Sequence, residues 1–258
     1  MMCNSFDALF CKVGNPQQQP MGDGYVYRFK EKSIYQAIIQ KLTRLVTGLQ
    51  AISLLNHAGF LQEQAALQRT LDEFDEDIIF LSFGIIFNEI TDLHKKYLAA
   101  FYEEEFDDPA SAIRSTQKRP MIPRKNIRAF ISKNRGTGYD QSSTIEVGRT
   151  INKTYSGYIH GASPHLMELF FGNPPQFHLL GGDDSPFYQD HSEDLLNYYY
   201  RSLLAFAFAS KAFGEETLFK KIFDFSKAFA KASGRENQLH EIFETEQDNT
   251  PDPRSAGR

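Results

Sequence analysis

From Ser33 onward, apolar residues recur at steps of three and four: Ile34, Ile38, Leu42, Leu45, Leu49, Ile52 and Leu55. That period puts them on one face of a helix, and Ser33 is a residue of the N-capping type. Asn56-His57-Ala58-Gly59 ends or bends this helix. The pattern resumes at about Phe60 and runs towards Glu105, with Leu67, Leu71, Phe74, Ile78, Leu81 and Ile85 as one stripe. Ala66, Phe80 and Phe87 lie on a roughly opposite face. A helix apolar on two sides belongs in the middle of a bundle, and Gly84 is a candidate break within it.

Further along, Asp108 with Pro109 has the look of an N-cap and first-turn pair. A short helix is predicted over Arg124–Ser132. Ser143 and Glu146 have capping-box spacing and open a helix that runs to about His160, with Gly161 ending it. Ser163-Pro164 starts another short helix, through Phe170. Residues 171–190 form the longest irregular stretch, with Gly172, Pro174, Pro175, Gly181, Gly182 and Pro186; loops of that length are functional or mobile. Two strong helices follow, about Ser192–Phe213 and Glu215–Ser233. The run Leu195–Phe213 is apolar nearly all round and reads as a core helix or an oligomer interface. A last helix is predicted over Asn237–Thr245.

The two ends are patterned weakly. Residues 1–32 read as an N-terminal arm, with a loop over Asn15–Gly24 and a short extended piece at Tyr25–Phe29. Residues 247–258 are polar with two prolines and read as a disordered tail. The expected fold class is all-α: one helical bundle over 33–246 with a central long helix and a long irregular loop. No repeat and no alternating run long enough for a sheet interrupts that picture.

Composition sharpens it. The chain of 258 residues holds 23 Phe and 12 Tyr but no Trp, and so many rings imply a thick core. No apolar run approaches the ~18 residues that span a bilayer, and no signal-peptide pattern opens the chain. Membrane contact is not expected, and the cytoplasm is the expected location. The two cysteines, Cys3 and Cys11, make no disulfide or zinc framework. The net charge of −5 argues against a uniformly basic nucleic-acid binder. Its distribution is uneven: Pro109 to Tyr139 has no acidic residue. It carries Arg114, Lys118, Arg119, Arg124, Lys125, Arg128, Lys133 and Arg135. Such a segment attracts anions whatever the global sign, so it is a candidate RNA contact. Only Phe130 and Tyr139 interleave it with rings. Docking onto the chain's own acidic surface, such as Glu103–Asp108, or onto a partner subunit is the competing reading.

Three groups of side chains could carry chemistry. On one helix, Asn152, Ser156 and His160 follow i, i+4, i+8 and share a face, with Arg149 and Tyr155 near it. A histidine at a helix C-terminus is stabilised as the cation and suits acid–base work near neutral pH. A locally hydrogen-bonded helix end explains the same residues. Arg69 and Glu73 are spaced i, i+4 on the central helix, either as a solvated ion pair of small value or as an inward pair meeting His160 or Tyr155. His178, Asp183, Asp184, Asp190 and His191, or His160, His165 and Glu168, are competent metal ligands in no recognised spacing. No metal site is therefore expected. Walker A, GxGxxG, GxSxG and HExxH signatures are absent, and no cofactor is expected.

Two stretches carry a resemblance. Ala58-Gly59 through Glu73, with Glu63-Gln64-Ala65, Leu67, Arg69-Thr70-Leu71 and Glu73, resembles the opening of a group of uncharacterised bacterial helical proteins. Tyr155-Ser156-x3-His160-Gly161 resembles their second block. Those proteins are similar to HEPN domains (higher eukaryotes and prokaryotes nucleotide-binding). The likeness spans residues 34–170. It implies a helical bundle that pairs with a second copy, and a metal-independent ribonuclease of a toxin or antiphage system. The HEPN pattern has Arg four to six residues before His. Here Arg149 precedes His160 by eleven, about 16 Å of helical rise, so Arg149 does not simply inherit the family's role.

Three functions compete. In the first, a HEPN-like ribonuclease or RNA-binding effector uses His160 as acid or base and Arg69 or Arg149 to stabilise phosphate charge. Ser156 and Asn152 then position RNA held by the basic segment. The second is a non-enzymatic assembly module, a homodimer or a protein-binding surface. The third is a nucleotide or small-ligand sensor with a pocket between Tyr155, His160 and the 171–190 loop.

Overall fold

The computed structural model describes residues 1–106, 112–118, 120–134 and 155–235. The chain is mostly helical, with two small antiparallel hairpins. Helix α1 spans Met2–Phe10, and strands β1 (Gln17–Met21) and β2 (Gly24–Arg28) pair in register Gln17 with Arg28. The long helices are α2 (Ile34–His57) and α3 (Leu61–Ile86), followed by α4 (Asp92–Tyr102) and α5 (Arg124–Lys133). Residues 155–159 are helical. A short α6 (Ser163–Leu166) runs into a 3-10 turn at Met167–Leu169, then strands β3 (Phe170–Phe171) and β4 (Gln176–Phe177). Helices α7 (Tyr188–Ala212) and α8 (Glu216–Ala232) close the described fold.

Helix α2 starts where its cap dictates. Ser33 Oγ accepts from Gln36 N–H at 3.2 Å, and Gln36 Oε1 accepts from Ser33 N–H at 3.1 Å, a reciprocal capping box. Helix α3 is central: it packs on α2, α5 and α7, while α7 also packs on α8. The core joins Ile38, Leu42, Leu45 and Ile52 of α2 with Leu71, Ile78, Phe80 and Leu81 of α3 and Phe206 of α7, all fully buried. Ile127 and Phe130 of α5 seal one side. Among the described residues no helix is long and apolar enough to cross a membrane.

Two boundaries differ from the sequence reading. The central helix does not break at Gly84. It ends at Ile86, and Asn88 turns the chain with φ 50° before Thr91 opens α4. Gly84 is helical, and its lack of a side chain admits the His94 ring, which any Cβ would strike. Thr91 N–H donates to His94 Nδ1 at 3.2 Å, so Nε2 carries the ring proton and donates to the Phe80 carbonyl at 3.2 Å. That ring stacks on Phe80 at 4.0 Å, and burial pushes its pKa down. The N-terminal arm is also more than an arm. Leu9 of α1 is fully buried against the bundle, and Arg28 at the end of β2 holds Glu104 at 2.6 Å. The Asp108–Pro109 pair, the Ser143–Glu146 box, the Asn237–Thr245 helix and the 247–258 tail lie outside the described residues.

Candidate functional site

The least expected feature is a seam of polar side chains inside the bundle. Along α3, Gln64, Gln68, Asp72 and Asp75 are buried on the face turned to α7. At the upper end, Asn56 Nδ2 donates to Gln64 Oε1 at 3.0 Å and to Ser192 Oγ at 3.2 Å. Gln64 Nε2 then donates to the His191 carbonyl at 2.9 Å. Lower down, Arg201 of α7 donates to Asp72 Oδ1 at 2.6 Å. Burial raises the Asp72 pKa, against the pull of Arg201. Asp75 is 1 % exposed. Neither of its carboxylate oxygens, nor the Gln68 amide, nor the Ser202 hydroxyl meets a hydrogen-bond partner among the described residues. Burial pushes the Asp75 carboxyl up to about 7.

A second polar group lies where 155–168 crosses the start of α3. Gln62 Nε2 donates to the His165 carbonyl at 2.8 Å and to Glu168 Oε2 at 3.0 Å. Tyr158 OH donates to Glu168 Oε2 at 3.0 Å, and its ring meets those of His165 (4.3 Å) and His191 (5.9 Å) edge-on. The His165 ring lies against Gly157, and a Cβ there would push it aside. Tyr155 is buried, donates to Asp194, and meets the Tyr198 ring edge-on at 6.2 Å. Burial first, and the neighbouring carboxylates second, hold the Tyr155 and Tyr158 phenols protonated far above their ordinary range. Burial lowers the pKa of His191.

The residues singled out in the sequence are spread over this framework. Tyr155 is part of the seam's outer wall. Ser156 is half-buried one turn before the exposed His160, whose backbone N–H closes the last turn on Ser156 O at 3.1 Å. Arg69 Nη1 pairs with Glu73 Oε1 at 2.8 Å; Arg69 is largely covered and Glu73 about half open. Among the described interactions none joins Arg69 or Glu73 to His160 or Tyr155. Arg149 and Asn152 lie outside the described residues. Among the described residues no three His, Cys, Asp or Glu side chains converge in a group suited to a metal ion. His178 instead stacks on Phe171 at 3.7 Å.

The basic segment divides in two. Arg124 reaches Glu76 and Asp77 at 2.5 Å, Arg128 holds Glu76 at 2.8 Å, and Lys133 holds Glu89 at 2.6 Å. These cations clamp α5 onto α3 and the turn after it; Lys41 of α2 adds a fourth, at 2.8 Å from Asp77. Phe130 is buried against Phe80 and His94, so its ring is not open to a base. Arg114, Lys118 and Lys125 are exposed and make no ion pair among the described residues. Arg119, Arg135 and Tyr139 lie outside them.

The 170–187 stretch is the other departure. It folds back on the α2–α3 turn: Gly182 N–H donates to Gly59 O at 3.1 Å, and Gly181 (φ 85°) sits so close that a Cβ would overlap the Ala58 carbonyl. The same stretch turns apolar residues outward. Phe170 and Phe177 contact each other at 4.9 Å across the β3–β4 hairpin, and Leu179 and Leu180 are 80 % and 90 % exposed. Beside it a narrow cleft is lined by Leu61, Gln62, Glu168, Phe171, His178 and Phe187 among others. Tyr155 and His160 are not among its walls.

The sequence reading missed Asp72 and Asp75. One signal pointed to them: Arg201 is the sole charged residue between Leu195 and Ser210, and a lone cation in an apolar helix needs a buried anion. Comparison of the chain with protein-family profiles, with curated proteins and with solved structures finds no match to any of them.

Proposed function

We propose that this chain is a cytoplasmic, HEPN-like helical module that works by assembly, pairing with a second copy through the apolar tip of its 170–187 loop. One observation carries the reading: Phe170, Phe177, Leu179 and Leu180 are held outward on a backbone that is itself bonded to the α2–α3 turn. Apolar side chains fixed at a surface, rather than scattered over it, mark an interaction site. Two projecting leucines beside a pair of rings offer both knob and seat, the self-complementarity that a two-fold pair needs. The likeness to helical proteins that pair supports the same partner.

The test is light scattering of the purified full chain over a concentration series, as wild type and as Leu179→Ser with Leu180→Ser. A dimer that becomes a monomer in the double variant, with an unchanged melting temperature, supports the reading. A wild-type monomer throughout, or a dimer indifferent to the double variant, overturns it.

A second reading stands on His160, which is exposed at a helix end with its ring open to solvent. In a metal-independent RNA cleavage of the antiphage type, His160 takes the 2′-hydroxyl proton as that oxygen attacks phosphorus and the 5′-oxygen leaves with a proton from solvent. Arg69, paired to Glu73, is the cation that the central helix offers to phosphate. Cleavage of labelled RNA in EDTA, lost in His160→Ala, establishes it; equal activity in that variant removes it.

A further inference from the structure

We propose that Asp75 is held as a neutral carboxylic acid in the resting fold, so that the stability of the α3–α7 seam depends on one proton. The geometry carries this. Two carboxyl groups, Asp72 and Asp75, are each 1 % exposed and face one guanidinium, Arg201. Arg201 gives its hydrogen bond to Asp72, and its attraction for Asp75 is outweighed by burial. The Asp75 oxygens make no hydrogen bond of good geometry among the described residues, and the Ser202 hydroxyl beside them supports the anion only in part; a carboxylate so thinly supported is far more costly to bury than a neutral acid.

The surrounding charges favour the same state. On α3 itself, Asp72 and Glu76 oppose a negative Asp75. From α7, Arg201 and the Ser202 hydroxyl favour the anion but are outweighed by burial. From α2, Lys41 goes to Asp77; from α5, Arg124 goes to Glu76 and Asp77, and Arg128 to Glu76. Asp77 is two residues from Asp75, about 200° around the helix, so those cations gather on the far side of α3. From the 155–159 helix, Tyr155 stands behind Tyr198 and is protonated. Tyr198 neighbours both Asp72 and Tyr155, which puts the buried acids one side chain from the segment that carries His160.

The sign of the pH effect follows from the raised value. The folded chain keeps a proton that the unfolded chain releases, so the stabilisation is complete below the ordinary aspartate range. It is lost as pH climbs through about 7. The full chain is therefore unfolded by urea from pH 4.5 to 8.5, as wild type and as Asp75→Asn, an isostere of the neutral acid. The folding constant of the variant relative to wild type is expected to rise by up to about tenfold per pH unit between pH 5 and 6.5 and to level off above pH 8. A ratio that falls with pH, as for an ionised pair with Arg201, or one that stays flat, overturns the proposal. Should Asp75→Asn not fold, the infrared spectrum of the folded wild-type chain labelled in its Asp carboxyls decides. A protonated-carboxyl band at pH 5.5 that fades near pH 7 supports the proposal, and no such band at pH 5.5 overturns it.

Discussion

Two regions of this protein reverse the usual sorting of side chains, in opposite senses. The α3–α7 seam takes Gln64, Gln68, Asp72 and Asp75 inside, while the 170–187 loop puts Phe170, Phe177, Leu179 and Leu180 outside. Both reversals are built by backbone that is itself well held. The seam sits between α3 and α7, and Arg201 of α7 is the cation that answers Asp72. The loop is pinned by Gly181 and Gly182 to the α2–α3 turn, and its apolar side chains stay outside. Burial in the seam therefore sets protonation and partner geometry, whereas exposure in the loop sets what surface the molecule offers. The two regions meet at Gly59, which ends the α2–α3 turn and receives the loop.

The contrast between seam and loop breaks most readily at Arg201. Arg201→Met leaves Asp72 buried without its cation, and losing one partner of a buried pair destabilises by about 3–5 kcal/mol. The lower end is expected because a third of the Arg201 side chain reaches solvent. Urea unfolding at pH 7 measures it. Adding Asp72→Asn to Arg201→Met should recover part of the loss, since the orphaned charge is gone; a double variant no better than the single would mean that packing, not charge, made the difference.

The loop is tested by Gly181→Ala. A methyl there meets the Ala58 carbonyl, and the positive φ adds strain of its own, so a loss of about 1–3 kcal/mol is expected. Gly214→Ala is the matching control: its φ is 74° but nothing lies within reach of a Cβ. Only the backbone strain remains, about 1 kcal/mol. Equal losses at the two positions would show that the loop is not seated on the α2–α3 turn as described. Leu179→Ser with Leu180→Ser, by contrast, should change stability by less than about 0.5 kcal/mol while abolishing self-association.

Much of the framework is legible in the sequence, for reasons that also mark where legibility stops. Ser33 announces the start of α2 because an N-cap is a local signal. Pro123 and the apolar Ile127, Phe130 and Ile131 place α5 equally well. Helix α1 is hidden because nine residues give two turns and too few repeats of a period. Gly84 misleads because its use is to admit the His94 ring, a neighbour supplied by a different helix. Asp72 and Asp75 hide for a deeper reason. Periodicity tells which side chains point the same way, and only the packing of α7 tells that their side is covered. The His160 face stays an expectation: Tyr155 is drawn inward by Asp194, His160 stands open, and Arg69 turns to Glu73.

The smallest effect belongs to the basic segment and separates its two uses. Arg124 and Arg128 are partly buried and clamp α5 onto Glu76 and Asp77, whereas Arg114, Lys118 and Lys125 are exposed. Replacing the exposed three with Ala removes no described ion pair, so stability should stay within about 0.5 kcal/mol of wild type. If they touch RNA, the same change must flatten the salt dependence of binding, with a slope lowered by at most about 0.9 for each phosphate that is no longer neutralised. The assembly reading expects no such change. Measuring RNA retention at several salt concentrations beside a melting curve thus weighs the segment's service to the fold against service to a polyanion. A lowered slope with an unmoved melting curve would turn the balance towards RNA.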